Sequence, residues 1–193
     1  AHPEVAAGVS EHSAYREDPL GRLSRTAAYV TATTYGSIPE AESALAIVRS
    51  AHKGVRGRSH RKIRYEAQNP TLGSWVHNAL IDSFLISRQI FGPSPITVFH
   101  ADAYVTEQAR LGKRLGISPL LSNAAELSEW ITSHPELENS PAAKEAVSFL
   151  SKPNLPRPVI HVYQRLYNAA IATIPDRLKE ILGLKTQPGS VFL

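Results

Sequence analysis

Apolar positions recur every three or four residues along most of the chain, and proline, glycine and capping residues separate the runs. This pattern predicts helices almost throughout. Ser37-Ile-Pro-Glu40 has the form of a capping box with proline in the first turn, and it opens a periodic run from Ala41 to Val55 that stops near Gly57. Asn69-Pro70 opens a second long helix that ends at Gly92, and a third runs from about Val98 to Arg114 and closes at Gly116. Pro135 ends a further helix, Ser140-Pro141 starts a short one, Pro158 to Ile174 is apolar at helical spacing, and Pro175 opens a last helix ending near Gly183. Strand-like alternation is almost absent. Ala28 to Gly36 is rich in β-branched residues, yet a helix continuing from Arg22 fits it equally well. The expectation is an all-α, single-domain helical bundle over residues 1–185, with a loose tail at 186–193.

Composition agrees with a globular chain. The 193 residues are 42% apolar and 20% charged, enough to bury a core without staples. The absence of cysteine excludes a disulfide scaffold, a thiolate metal site and a cysteine nucleophile. No apolar run is long enough to span a membrane. The nearest, Trp75 to Ile90, is interrupted by His77, Asn78, Asp82, Ser83 and Arg88. No leader is visible, so a cytoplasmic location is expected, with a removed N-terminal signal as the alternative. Methionine is absent as well, the initiator included, and the first residues read like the inside of an element. A missing N-terminal part is therefore expected.

Charge is uneven. The net charge of +4 conceals seven bases and no acid between Arg49 and Arg64, leaving 14 bases against 17 acids elsewhere. Such a patch points either to one anionic partner or to a solvated, arginine-rich loop.

On a helical wheel, at about 100° per residue, Leu45, Val48 and Val55 form the core-facing stripe, and His52 falls inside it. Arg49 and Arg56 border the same face, three residues before and four after the histidine. A lone histidine on an apolar face is usually a satisfied core residue. Two neighbouring arginines favour a ligand with an apolar body and two carboxylates, because a guanidinium cannot shed its charge on burial. Haem is such a molecule: neutral His52 would ligate iron and the arginines would hold the propionates. Arg22, Arg25 and Thr26 likewise share one helical face. His77, in an almost wholly apolar helix, reads as a core histidine, a second-shell partner or a pocket wall. The six other histidines show no metal-ligand spacing, although His12 is placed where it can approach a cofactor from the N-terminal segment.

The segments HPEVAAGVSEHSAYREDPLGRLSRTAAYV, RSAHKGVRG, YEAQNP and WVHNALIDSFL together resemble the MpaB-type and latex-clearing-protein (rubber oxygenase) family. The resemblance is strong over residues 1–116 and general in character beyond. It implies an all-α, distantly globin-like fold that binds haem b and uses dioxygen to cleave isoprenoid carbon–carbon double bonds. It also implies His52 as the proximal iron ligand, Arg49 and Arg56 near the propionates, and Arg22 and Thr26 beside the haem. Two positions depart from the pattern. Arg25 stands where rubber-cleaving members have a lysine able to reach the iron, and an arginine is a very poor ligand. The acid those enzymes place over the haem has no clear counterpart, Glu11 being the nearest candidate.

The leading expectation is a haem b-dependent oxygenase acting with dioxygen on an apolar, unsaturated substrate, isoprenoid- or lipid-like. The alternatives are a non-catalytic haem-binding protein and an all-α nucleic-acid-binding protein that uses the Arg49–Arg64 patch. Against the last, Arg49 and Arg56 lie with the apolar stripe, no aromatic interleaves the patch before Tyr65, and no helix-turn-helix precedes it. No nucleic-acid partner is therefore expected. Motifs for serine hydrolases, P-loop enzymes, dinucleotide binding and HExxH zinc sites are absent.

Overall fold

A computed structural model describes residues 1–153, 155, 157–187 and 189. The predicted tail therefore falls partly outside the described residues, at 188 and 190–193. The elements run α1 (Pro3–His12), α2 (Pro19–Tyr35), α3 (Ile38–His52), β1 (Arg56–Arg58), β2 (Arg64–Glu66), α4 (Pro70–Phe91), α5 (Val98–Leu115), α6 (Ala124–Ser133), α7 (Pro141–Ser151), α8 (Arg157–Thr173) and α9 (Asp176–Leu182). Among the described residues the fold is all-α apart from one small hairpin.

Local chemistry explains the boundaries. Glu40 takes both the backbone N–H and the hydroxyl of Ser37 at 2.7 Å, which closes the capping box of α3. Asn69 accepts from the backbone of Thr71 and Leu72, Thr97 from His100, Asn123 from Glu126 and Ser140 from Ala143, so α4, α5, α6 and α7 each start on a side-chain cap. Gly116, at φ 73°, ends α5 in the left-handed region. The α2 helix takes up the whole β-branched run to Tyr35, as one of the two readings of that segment anticipated.

One element differs from the sequence pattern. The α3 helix stops at His52, and Arg56 belongs to a strand. Gly54 makes helix continuation costly by about 1 kcal/mol, and the segment instead pairs antiparallel with β2, Arg56 opposite Glu66 and Gly57 opposite Tyr65. Tyr65, only 3% exposed, fixes this hairpin against α1. A Cβ at Gly8 would come within 3.3 Å of its ring.

The core lies among α4, α5, α6 and α9, where Ile81, Leu85, Val105, Leu127, Ile131 and Leu178 are buried together. Full burial of side chains this size contributes about 1.5–3 kcal/mol each. A second anchorage ties α1 to the hairpin and to the segment after α6. The carboxylate of Glu4 is 4% exposed and accepts from Ser59 Oγ at 2.7 Å, Arg61 Nη2 at 2.7 Å and Arg61 Nε at 3.2 Å. Arg61 Nη2 also reaches Glu136 at 2.7 Å. Beside this clamp His2 packs against Trp75 and His134, with ring centroids 5.8 and 5.4 Å apart.

In contrast, α2 buries none of its residues. It packs along α3 and leaves Leu20, Leu23, Ile38 and Ile47 of the pair at least 64% exposed. No helix among the described residues is long and apolar enough to cross a membrane.

Candidate functional site

A two-residue turn, Gly36-Ser37, joins α2 to α3. Folding back about it brings Arg22 level with the last turn of α3, which carries Arg49 and His52, and Thr26 about one turn further in. Arg22, Arg25, Thr26, Arg49 and His52 therefore all lie in the halves of α2 and α3 away from the turn. All five are exposed. The burial that would have demanded an anionic partner for Arg49 and Arg56 is absent.

Their partners differ. Arg25 pairs with Asp18 at 3.3 Å, and the Thr26 hydroxyl donates to the Arg22 carbonyl at 3.1 Å. Arg49 donates to the Arg114 carbonyl at 3.4 Å, while Arg114 itself is ion-paired with Glu42. Among the described residues, Arg22, Arg49 and Arg56 have no acidic partner. The imidazole of His52 has no hydrogen-bond partner there either, and the protein around it holds its pKa below the ordinary histidine range by desolvation. A neutral imidazole is the form that binds metal.

The remaining candidates lie elsewhere. Arg56 sits on the β-hairpin, where its carbonyl contacts His12 Nε2 at 3.1 Å. Glu11 is exposed on α1 and accepts from the Tyr65 hydroxyl, so it braces the same hairpin. Of the other bases in the patch, Arg61 is engaged by Glu4 and Glu136, and Arg58 donates to the Lys62 carbonyl at 2.8 Å.

His77 is 8% exposed in α4 and lines a recess between α2, α4 and α5. The recess holds about 340 Å³ of empty space, counting what is open to solvent. Tyr29, Val30 and Thr33 of α2 form one wall, Leu80, Ile81 and Phe84 of α4 a second, and Tyr104, Gln108 and Leu111 of α5 the third. Burial pushes the Tyr104 phenol up to about 12 and the Tyr29 phenol up as well. Burial lowers the pKa of His77, and a hydrogen bond to the Gln108 backbone partly offsets it. These wall residues did not emerge from the sequence, although a signal was present. Arg22, Thr26, Tyr29 and Thr33 recur at helical spacing, so one face of α2 runs from the arginine end into the recess.

Gly112 closes the recess behind His77. A Cβ there would overlap Leu120 and come within 3.2 Å of His77 Nε2. Gly112→Ala is expected to destabilise the fold by about 1–3 kcal/mol through overpacking, measured by chemical denaturation. Wild-type stability in that variant would refute the close packing of α5 against His77.

No group of three or more potential metal ligands occurs among the described residues. The donor set fits haem in its chemistry: one unpartnered neutral imidazole, arginines without acids at the same end of the hairpin, and exposed apolar side chains along both helices. No curated protein and no solved structure matches the chain. The family model described as ER-bound oxygenase mpaB/B'/Rubber oxygenase, catalytic domain, matches residues 1–192, and the chain belongs to that family of oxygenase catalytic domains.

Proposed function

We propose that this oxygenase domain depends on haem b and acts with dioxygen on a small, apolar, unsaturated substrate, isoprenoid- or lipid-like. One observation carries the reading. His52, neutral and without a protein partner, stands at the open end of the α2–α3 hairpin beside arginines that lack acidic partners. Haem bound there supplies an iron centre at which dioxygen is activated.

The chain's own residues have separable tasks. His52 would hold the iron through a ring nitrogen. Arg22 and Arg49 would hold the two propionates through charge-assisted hydrogen bonds. Arg25 keeps its bond to Asp18 and holds the N-terminal turn of α2 in place, with Thr26 beside it on the same face. Arg56, displaced onto the hairpin, and Glu11, tied to Tyr65, stay outside this set. Leu20, Leu23 and Ile47, exposed in the protein alone, would supply apolar surface for the cofactor's body. Val30, Leu80, Ile81, Phe84 and Leu111 give the recess walls an apolar share, and this suits an apolar substrate.

The test is a haem titration of the purified chain followed by visible absorption. Wild-type protein is expected to develop a Soret band at one equivalent, and His52→Ala to lose or shift it. Arg49→Leu is expected to weaken uptake about tenfold, the scale of one charge-assisted hydrogen bond. No uptake by wild type, or an unchanged spectrum in His52→Ala, would overturn the proposal.

A further inference from the structure

The β1–β2 hairpin has two unlike faces. Tyr65 is buried, held against α1 and bonded through its hydroxyl to Glu11, and Gly57 lies opposite it. Residues alternate across a strand, so the flanking pairs, Arg56 with Glu66 and Arg58 with Arg64, point outward, and all four are exposed. Glu66, the acid on this face, stands at the end away from the tip. Backbone bonds from Ser59 to Ile63 and from Ala67 to Val55 fix the phase of the ladder. They place both outward pairs at positions without bonds of their own, where facing side chains approach most closely. Like charges set directly opposite each other destabilise a hairpin. Even so, Arg58, Lys62 and Arg64 have no acidic partner among the described residues.

At the tip, Arg58 donates to the Lys62 carbonyl at 2.8 Å, a bond that anchors its guanidinium without neutralising it. Lys62 stands at φ 63°, in the left-handed region where glycine is the ordinary choice. Ile63 follows at 47% exposure, an aliphatic side chain in water between two bases. A solvated basic loop gives no reason for the isoleucine, and a single small anion would leave it in water. A phospholipid surface meets both needs, with phosphates above and an apolar layer beneath. Nucleic acid offers phosphates, but Tyr65 is buried and presents no ring for a base to stack on. We infer that the β1–β2 hairpin docks the domain on an anionic phospholipid membrane, with Arg58, Lys62 and Arg64 among the headgroups and Ile63 in the interface. None of these residues belongs to the set assigned to haem, so the docking stands apart from the oxygenase reading.

The experiment co-sediments the full chain with sucrose-loaded vesicles of phosphatidylcholine alone or mixed equally with phosphatidylserine. Wild type is expected on the mixed vesicles only, and to be released as salt screens the headgroups. One base near such a surface contributes about fivefold to binding, so Arg58→Gln/Arg64→Gln is expected to bind about 25-fold more weakly. The same change relieves the opposed charges, so its urea midpoint is expected to stay at or above that of wild type, and its haem uptake to match. Ile63→Ser is expected to weaken binding as well, and the emission of Ile63→Trp to move to shorter wavelength on the mixed vesicles. Failure of wild type to sediment with them, equal sedimentation with neutral vesicles, full binding by the double variant, or unmoved Ile63→Trp emission would overturn the inference. So would equal affinity for duplex DNA at the same salt.

Discussion

Replacing Arg61 with methionine is expected to destabilise the fold by about 3 kcal/mol at neutral pH. Arg61 supplies two of the three hydrogen bonds that hold the buried Glu4 carboxylate. Burial alone would raise the pKa of Glu4, but the bonds from Arg61 and Ser59 outweigh it and hold the group below its ordinary value. Methionine keeps the aliphatic stem and removes the charge, so an ionised carboxylate is left with the Ser59 hydroxyl and, at 3.5 Å, the His2 imidazole. Loss of one partner from a buried pair costs about 3–5 kcal/mol. Glu4 has an escape by taking up a proton, and carrying a carboxyl from its ordinary pKa to neutrality costs about 3.4 kcal/mol, so the lower end applies. The Glu4→Gln/Arg61→Met double variant is expected to recover much of the loss, because an amide leaves no buried charge. Urea midpoints at constant slope measure all three proteins. A loss below about 1 kcal/mol in Arg61→Met would show that the clamp holds nothing.

This clamp also marks where the sequence stops being legible. The helices could be placed because their ends are chemically marked: Ser37 with Glu40, Asn69 before Pro70, Gly116 after Arg114. The β1–β2 hairpin could not, since its three-residue strands are too short to show a period. That omission carried Arg56 onto the wrong element. Glu4 in the first turn of α1 looks like an ordinary exposed acid favoured by the helix dipole. Only the tertiary approach of Ser59 and Arg61, more than fifty residues away, buries it. His52 shows the opposite failure. Its phase with Leu45 is real, and Leu45 is fully buried, but the end of α3 overhangs the core and the same stripe emerges exposed. The likeness to the oxygenase family lay in ordered motifs that survive such changes of exposure.

Asp82→Asn is expected to stabilise the protein by about 2 kcal/mol at pH 7.5 and to cost about 1 kcal/mol below pH 4, where the carboxyl is neutral in both states. Asp82 is 6% exposed in α4 and has no hydrogen-bond or ion-pair partner among the described residues, and burial pushes its pKa up to about 6. A carboxyl whose folded pKa lies above its unfolded value costs nothing at low pH and destabilises progressively as pH rises from about 3.8 to 6. Carrying a carboxyl from its ordinary pKa to about 6 corresponds to about 3 kcal/mol at most, and an unpartnered buried amide returns about 1 of this. His2 acts in the other direction. Burial brings its pKa down to about 4, so the unfolded chain binds the proton first and stability falls as pH drops from 6.5 towards 4. Over that window the two groups nearly cancel in the wild type. The remaining slope belongs to His52, His77 and His134, whose pKa values desolvation lowers, and towards the acid end to Glu4 and Glu40, which their hydrogen bonds hold below the ordinary carboxyl value. Removing Asp82 uncovers the histidines, so the variant is expected to lose stability more steeply than the wild type between pH 6.5 and 4. Denaturation midpoints across pH 4–8 measure both effects. A gain independent of pH, or a loss at pH 7.5, would show that Asp82 is not an unpaired buried carboxylate.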